Sequence, residues 1–370
     1  MKKLVTKILI ILTIFLNIPF SSEASHLSKL KSDKALEYHN FRMEQMPKTF
    51  KTKIIPASTK PSSINFKSEP NKKIQKILNE SDLLSVLKFQ DNQVIINEIS
   101  SKLKEDDKMY SMSIAKSFIG YLVGHAVCDG YIALDQPMSR YVSETQNTIY
   151  ANTSIENMIN MAAGDSPIWG KNYSLNEYTG PVLNPNEKER KTILEIISEK
   201  QNKSPENIGV FRYSNVITDL IARAIDTNVP NGLAGYFNSK LSEPAGNNND
   251  MFFFLDKNSW PLSHAFLYAT RLDYLRMAIK ISSDWSKNDC IGNYLKDRYT
   301  NSVKTGQKDY KKYGGFFWFD FNKSKNPTAS MNGHGGQRII IDLKNNSIVL
   351  YHSIRIDFDQ NKLENILFKN

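Results

Sequence analysis

Strand-patterned segments occupy both ends of this chain, and helical periodicity fills the middle. Leu83 to Phe89 and Val94 to Ile99 read as two strands around Gln90-Asp91-Asn92-Gln93, a polar four-residue connection that suits a hairpin. Gly315 to Phe319, Gln337 to Leu343 and Ser347 to Ile354 form a second strand-rich block, followed by a helix over Gln360 to Phe368. Between them, much of Thr153 to Ile281 reads as helix. Thr153 and Glu156 fit a capping box, and Ile193 to Glu199, Val216 to Ile225 and Leu272 to Ile281 are apolar-periodic. Such an order predicts an α+β fold: one antiparallel sheet closed by both chain ends and flanked by helices. A mainly helical subdomain, about residues 145–265, would be inserted into this α-β-α sandwich. At 370 residues the chain can bury a full core.

The N-terminus reads differently. Lys2, Lys3 and Lys7 precede an apolar run from Ile8 to Phe20, and Ser22-Glu23-Ala24 follows as a small-x-small site. The run is short for a bilayer span and carries Asn17 and Pro19, so residues 1–24 are expected to be a cleaved signal peptide. An uncleaved inner-membrane anchor is the alternative. Residues 25–73, with Pro47, Pro56, Pro61 and Pro70, are expected to be an extended arm. Met43, Met46, Phe50, Ile54 and Ile55 would pin it to the domain at 74–370.

The formal charge is +10; residues 1–24 hold three lysines and one glutamate, so the mature chain carries +8. Its basic residues are interspersed with acids, which points to a solvated surface and away from nucleic acid. Six histidines (26, 39, 125, 264, 334 and 352) show no ligand spacing, so no metal or organic cofactor is expected. Cys128 and Cys290 could pair in an exported protein. Cys128 also falls on the apolar side of a helix, where a buried thiol is equally at home.

Three segments carry chemistry. Ser113-Ile114-Ala115-Lys116 opens an apolar-periodic run with Phe118, Ile119, Leu122, Val123, Ala126 and Val127 on its buried side, stopped by Gly130. Three residues is nearly one helical turn, so hydroxyl and amine share a face. A serine hydroxyl is a weak nucleophile until a base takes its proton, and an amine in a dry pocket can help do so. Tyr213-Ser214-Asn215 precedes the helix at Val216. Gly333-His334-Gly335-Gly336-Gln337 leads into the strand at Arg338.

Together these resemble the serine β-lactamase and penicillin-binding-protein superfamily. The likeness is to its branch of class C β-lactamases, DD-peptidases, esterases and 6-aminohexanoate-dimer hydrolases, and runs over about residues 80–358. Residues 130–142, 236–246 and 269–278 share it. The resemblance implies that Ser113 forms an acyl-enzyme, with Lys116 holding its hydroxyl and stabilising nearby negative charge. Tyr213 would be the general base, served by a phenolate that Lys116 stabilises. Asn215 would orient Lys116 and the substrate amide. An oxyanion would sit between the backbone N–H groups of Ser113 and Gln337. Gly335 and Gly336 would leave the strand edge open for substrate.

His334 stands where a class C β-lactamase has lysine. Histidine is mostly neutral near pH 7, which suits esters, neutral amides or D-amino-acid peptides at least as well as β-lactams. Lys304-Thr305-Gly306 also matches the third motif by letter, but without a strand pattern beneath it, and His334 is preferred. Glu156-x-x-x-Asn160 echoes the deacylating glutamate of class A enzymes out of order, and is read as a helix start. Trp169, Tyr173 and Tyr178 would either roof the cleft or pack in the core. The expectation is thus an exported serine hydrolase acting on a small-molecule or peptide substrate, periplasmic or secreted. The rival is a non-turnover penicillin-binding or cell-wall-sensing pseudo-hydrolase.

Overall fold

The computed structural model describes residues 31–165, 178–199 and 207–368. The proposed signal peptide, Trp169 and Tyr173 lie outside them. Helix α1 (Ser32–Glu44) leads into strand β1 (Thr52–Ile55), and helix α2 (Lys72–Glu80) precedes the hairpin of β2 (Leu83–Gln90) and β3 (Gln93–Ile99). Asp91 and Asn92 turn that hairpin at φ 51° and 60°, a conformation short polar side chains tolerate. Then come β4 (Lys108–Tyr110) and helices α3 (Ile114–Cys128), α4 (Ile155–Ile159), α5 (Ile193–Ser198) and α6 (Asn215–Asn228). Strands β5 (Met251–Leu255) and β6 (Pro261–Thr270) follow, then α7 (Arg271–Trp285) and α8 (Cys290–Thr300). The chain closes with β7 (Val303–Lys304), β8 (Tyr310–Gly314), β9 (Phe317–Phe321), β10 (Thr328–Gly333), β11 (Gln337–Asp342), β12 (Ile348–Ser353) and α9 (Gln360–Phe368).

The chain ends build one antiparallel sheet in the order β3-β2-β12-β11-β10-β9-β8-β7. A second sheet, β1-β5-β6-β4, was not expected. β5 and β6 interrupt the stretch over Thr153 to Ile281 that reads as helix. All ten residues of β6 are buried. A strand covered on both faces loses its alternation, and an apolar run then reads equally well as helix.

The arm carries a helix that was not expected. Within it, α1 docks on the small sheet through His39 Nδ1 and Tyr110 Oη at 3.3 Å, and Tyr268 donates to the Arg42 carbonyl at 3.1 Å. β1 pairs with β5, burying Ile55 while Ile54 stays exposed. Other boundaries moved for local reasons. Ser154, not Thr153, caps α4 by accepting the Asn157 N–H. Gly315 and Phe316 are not strand but a turn at φ 56° and 66° between β8 and β9. α5 has its capping box, built by Thr192 and Glu195.

Helix α3 is the centre of the molecule. It packs against β6 of the small sheet, β9 to β11 of the large sheet, and α6 and α8. Every residue from Ile114 to Gly124 is buried, which fits an apolar surface running nearly all round the helix. Gly120 allows the β8–β9 turn to approach: a Cβ there would lie 1.9 Å from the Gly315 carbonyl oxygen. Ser117 Oγ donates to the Phe316 carbonyl at 2.7 Å. The C-terminal end of α3 is fastened to α8 by a Cys128–Cys290 disulfide, so Cys128 is not a free thiol.

Candidate active site

Ser113 begins the first turn of α3, after Met112 at φ +44°. A non-glycine residue in the left-handed region needs its surroundings to hold it there. Ser111 does much of this, donating its N–H to the Leu267 carbonyl at 2.8 Å and its hydroxyl to the Met112 carbonyl at 2.8 Å. Gly333, the last residue of β10, closes on the same turn. A Cβ on Gly333 would fall 2.9 Å from the Ser111 carbonyl oxygen and 3.1 Å from Met112 Cβ. The third motif thus begins against the residues that place the serine.

Lys116 lies one turn along α3, is 1% exposed, and donates from Nζ to Ser113 Oγ at 3.1 Å. A second donation, at 2.6 Å, goes to the His264 carbonyl on β6. Ser113 itself is only half-buried. Removal from water disfavours the ammonium and brings Lys116 down to about 7, with the Asp219 charge pulling the other way. The amine is therefore substantially neutral at physiological pH.

Tyr213 comes from the segment entering α6. Its ring lies 5.1 Å from Lys116 Nζ and stacks on Trp318 of β9 at 5.7 Å, with Tyr313 of β8 edge-on. Burial pushes the phenol well above its ordinary range, and a hydrogen bond with the Ser113 side chain only partly offsets this. Ser113, Lys116 and Tyr213 meet at one point.

Asn215 is the first residue of α6 and donates from Nδ2 to Thr179 Oγ1 at 3.1 Å. Behind it lies a buried polar group that sequence reading missed. Thr179 Oγ1 lies 3.4 Å from His264 Nε2, and His264 Nδ1 lies 2.6 Å from Asp219 Oδ2. Tyr178 also donates to Asp219 Oδ2, at 2.5 Å, and is fully buried, so it packs in the core and does not roof the cleft. The available signal was Asp219 itself, an acid among Val216, Ile217, Leu220 and Ile221 on a helix whose periodicity asks for apolar residues there.

The His334–Gly336 segment is the turn of the β10–β11 hairpin, with Gly333 paired to Gln337. His334 is exposed. Gly335 and Gly336 sit at φ 81° and 97°, where glycine is favoured. Their missing side chains make room for the chain behind: a Cβ would lie 2.8 Å from the Ile354 carbonyl oxygen or 3.1 Å from Ile356 Cγ1. The chain behind the turn is by itself reason enough for glycine at both positions. Gln337 is buried and donates from Nε2 to the Ser353 carbonyl at 2.7 Å.

Lys304 is exposed on the short edge strand β7, three strands from β10. Glu156 accepts from Arg298 Nη1 at 2.6 Å and from Asn160 Nδ2 at 3.1 Å, and Asn160 Oδ1 accepts the Gly315 N–H. That pair braces the β8–β9 turn. Among the described residues no cluster of His, Cys, Asp and Glu could hold a metal ion.

No family profile matches the chain. An uncharacterised protein of Alkalihalophilus pseudofirmus is 33% identical over 69 residues, 19% of this chain and 20% of that protein. Solved structures align far more fully. One described as a 6-aminohexanoate-dimer hydrolase from Bacillus anthracis has a TM-score of 0.75 at 16% identity, covering 89% of this chain and 94% of that one. EstCE1, a hydrolase with promiscuous acyltransferase activity, gives 0.61 at 14% identity over 80% and 96%. D-amino acid amidase from Ochrobactrum anthropi SV3 gives 0.59 at 15% over 76% and 90%. By its two sheets around a buried central helix, and by these alignments, the chain has the fold of the serine β-lactamase and penicillin-binding-protein-like superfamily.

Proposed function

We propose that this protein is a serine hydrolase that cleaves an amide or ester through an acyl-enzyme on Ser113. The observation carrying this reading is Lys116 Nζ, buried and 3.1 Å from Ser113 Oγ, with its charge suppressed. Ser113 Oγ attacks the substrate carbonyl while its proton passes to the Lys116 amine, a better acceptor than a phenol held above its ordinary range. Tyr213, still protonated, hands a proton to the leaving nitrogen or oxygen and is reloaded from Lys116. Water then attacks the ester carbonyl by the same route in reverse. The N–H groups of Ser113 and Gln337 are assigned to the oxyanion. Asn215 steadies the substrate amide.

The substrate class follows from what surrounds the serine. Phe211, Tyr213, Tyr313 and Trp318 form an aromatic wall, and the hairpin turn offers a histidine in place of lysine. These favour an apolar, uncharged acyl group, as in a neutral amide, an ester or a D-amino-acid derivative. We place the protein outside the cytoplasm, periplasmic or secreted, on two grounds. Residues 1–24 have signal-peptide form, and disulfides such as Cys128–Cys290 persist in oxidising compartments. Among the described residues no helix is long and apolar enough to cross a membrane.

Hydrolysis of a p-nitrophenyl ester, a D-amino-acid p-nitroanilide and nitrocefin by purified protein tests the activity. Turnover of the ester or anilide that is lost in Ser113→Ala supports the hydrolase. A stable Ser113 adduct without turnover of any of the three would support a sensor instead.

A further inference from the structure

We propose that Asp219 and His264 form a positioning pair that holds Lys116 for proton transfer, with Thr179 tying His264 to Asn215, one turn before Asp219 on α6. This rests on the reading of Ser113 and Lys116 given above and adds residues that the three motifs do not contain.

β6 departs from regular pairing in its middle. Phe253 pairs with Leu267 and Phe254 with Leu262, so Ser263, His264, Ala265 and Phe266 bulge out of the β5–β6 ladder. A bulge leaves backbone groups unpaired and re-aims them. Here it turns the His264 carbonyl toward Lys116 Nζ at 2.6 Å. The freed N–H groups of Ser263 and His264 both donate to Asp219 Oδ1, at 2.7 and 2.9 Å. Asp219 Oδ2 takes the His264 ring and the Tyr178 hydroxyl. One wholly buried carboxylate thus fixes the bulge by main chain and side chain together.

The hydrogen bonds have a consistent direction. Burial outweighs the attraction of Asp219 and keeps the imidazole neutral. Nδ1 then carries the proton toward Asp219, leaving Nε2 to accept from the Thr179 hydroxyl, whose oxygen accepts from Asn215 Nδ2. Asn215 and the carbonyl that holds Lys116 are therefore braced through one imidazole. The titratable groups facing Lys116 are Tyr213 from the segment before α6, Asp219 on α6 and His264 on β6, with Tyr178 behind Asp219. Asp219 supplies the negative charge nearest the amine's far side. Asp219 and His264 are both wholly buried, where apolar residues are the ordinary occupants.

Asp219→Asn keeps the shape and one acceptor oxygen for the Ser263 and His264 N–H groups, removes the charge, and puts an NH2 where Oδ2 met the His264 ring and the Tyr178 hydroxyl. The readout is the rate at which a fluorophosphonate labels Ser113 between pH 5 and 10, followed by intact mass. Wild type is labelled first: no adduct there overturns the hydrolase reading, and the positioning role with it. With wild type labelled, the Asp219→Asn midpoint is expected about one pH unit lower, because the ammonium loses its stabilising charge. His264→Ala is expected to label more than about tenfold slower, and His264→Asn, which can still donate to Asp219, to recover most of that loss. Cooperative thermal unfolding establishes that each variant is folded. If Asp219→Asn fails to fold, the two His264 variants decide. A folded Asp219→Asn or His264→Ala with the wild-type rate and midpoint overturns the positioning role while leaving the hydrolase reading intact.

Discussion

Two lysines in this chain sit in segments with the lettering of a known catalytic motif, and they end in opposite surroundings. Lys116 is 1% exposed on the central helix, pinned between Ser113 and the His264 carbonyl. Lys304 is exposed on a two-residue edge strand, beside Gly306, around which a Cβ would meet nothing within 4 Å. The same side chain is buried in one place and solvated in the other. What separates them is not spacing but what lies underneath: a helix buried on all sides against a strand at the rim of a sheet. Burial, opposed by the Asp219 charge, brings Lys116 down to about 7.

Removing each amine tests that contrast hardest. Lys116→Met should cost about 10²–10⁴ in kcat/KM toward an activated ester, the range expected of a general base, while Lys304→Met should change it less than about twofold. Similar losses at both positions would break the comparison. Tyr213→Phe comes next: a drop of about a hundredfold or more in kcat, with unaltered thermal unfolding, is expected if the phenol passes the leaving-group proton. Near-full activity would remove it from the mechanism.

The pH profile sharpens the same point. Lys116 works as a base only when neutral, and its amine is lowered to about 7, so kcat/KM should rise from pH 6 to pH 8 with a midpoint near 7. A base with an unshifted lysine value would still be gaining rate above pH 9. The smallest expected effect is on the hairpin. Gly336→Ala meets both a φ of 97° and Ile356 Cγ1 at 3.1 Å, so it should lower stability by about 1–3 kcal/mol in a denaturant titration.

Lys304-Thr305-Gly306 shows no strand pattern, the ground for preferring His334, yet Lys304 ends the edge strand β7; two residues are too few to show alternation. The large sheet was legible in part: β2, β3, β11 and β12 carry strong β-formers between clear turn residues, whereas β7, β8 and β10 went unread. The small sheet was not. β6 is buried on both faces, so its period is hidden. β10 is a run of small residues, Thr328-Ala329-Ser330-Met331-Asn332-Gly333, with little strand character of its own. The helix α1 also escaped notice, since its residues show only weak segregation of apolar from polar sides. In the site, three motifs are contiguous in sequence and could be found singly. Thr179, Asp219 and His264 come from three separate elements, one of which is the unrecognised β6. Without that strand nothing brings the histidine to the lysine.

The most direct test of the central claim is intact-mass analysis of purified protein after incubation with a fluorophosphonate. The geometry predicts a single adduct on wild type, mapped to the peptide containing Ser113 and absent from Ser113→Ala. No adduct on folded wild-type protein, or one that persists in Ser113→Ala, would contradict it.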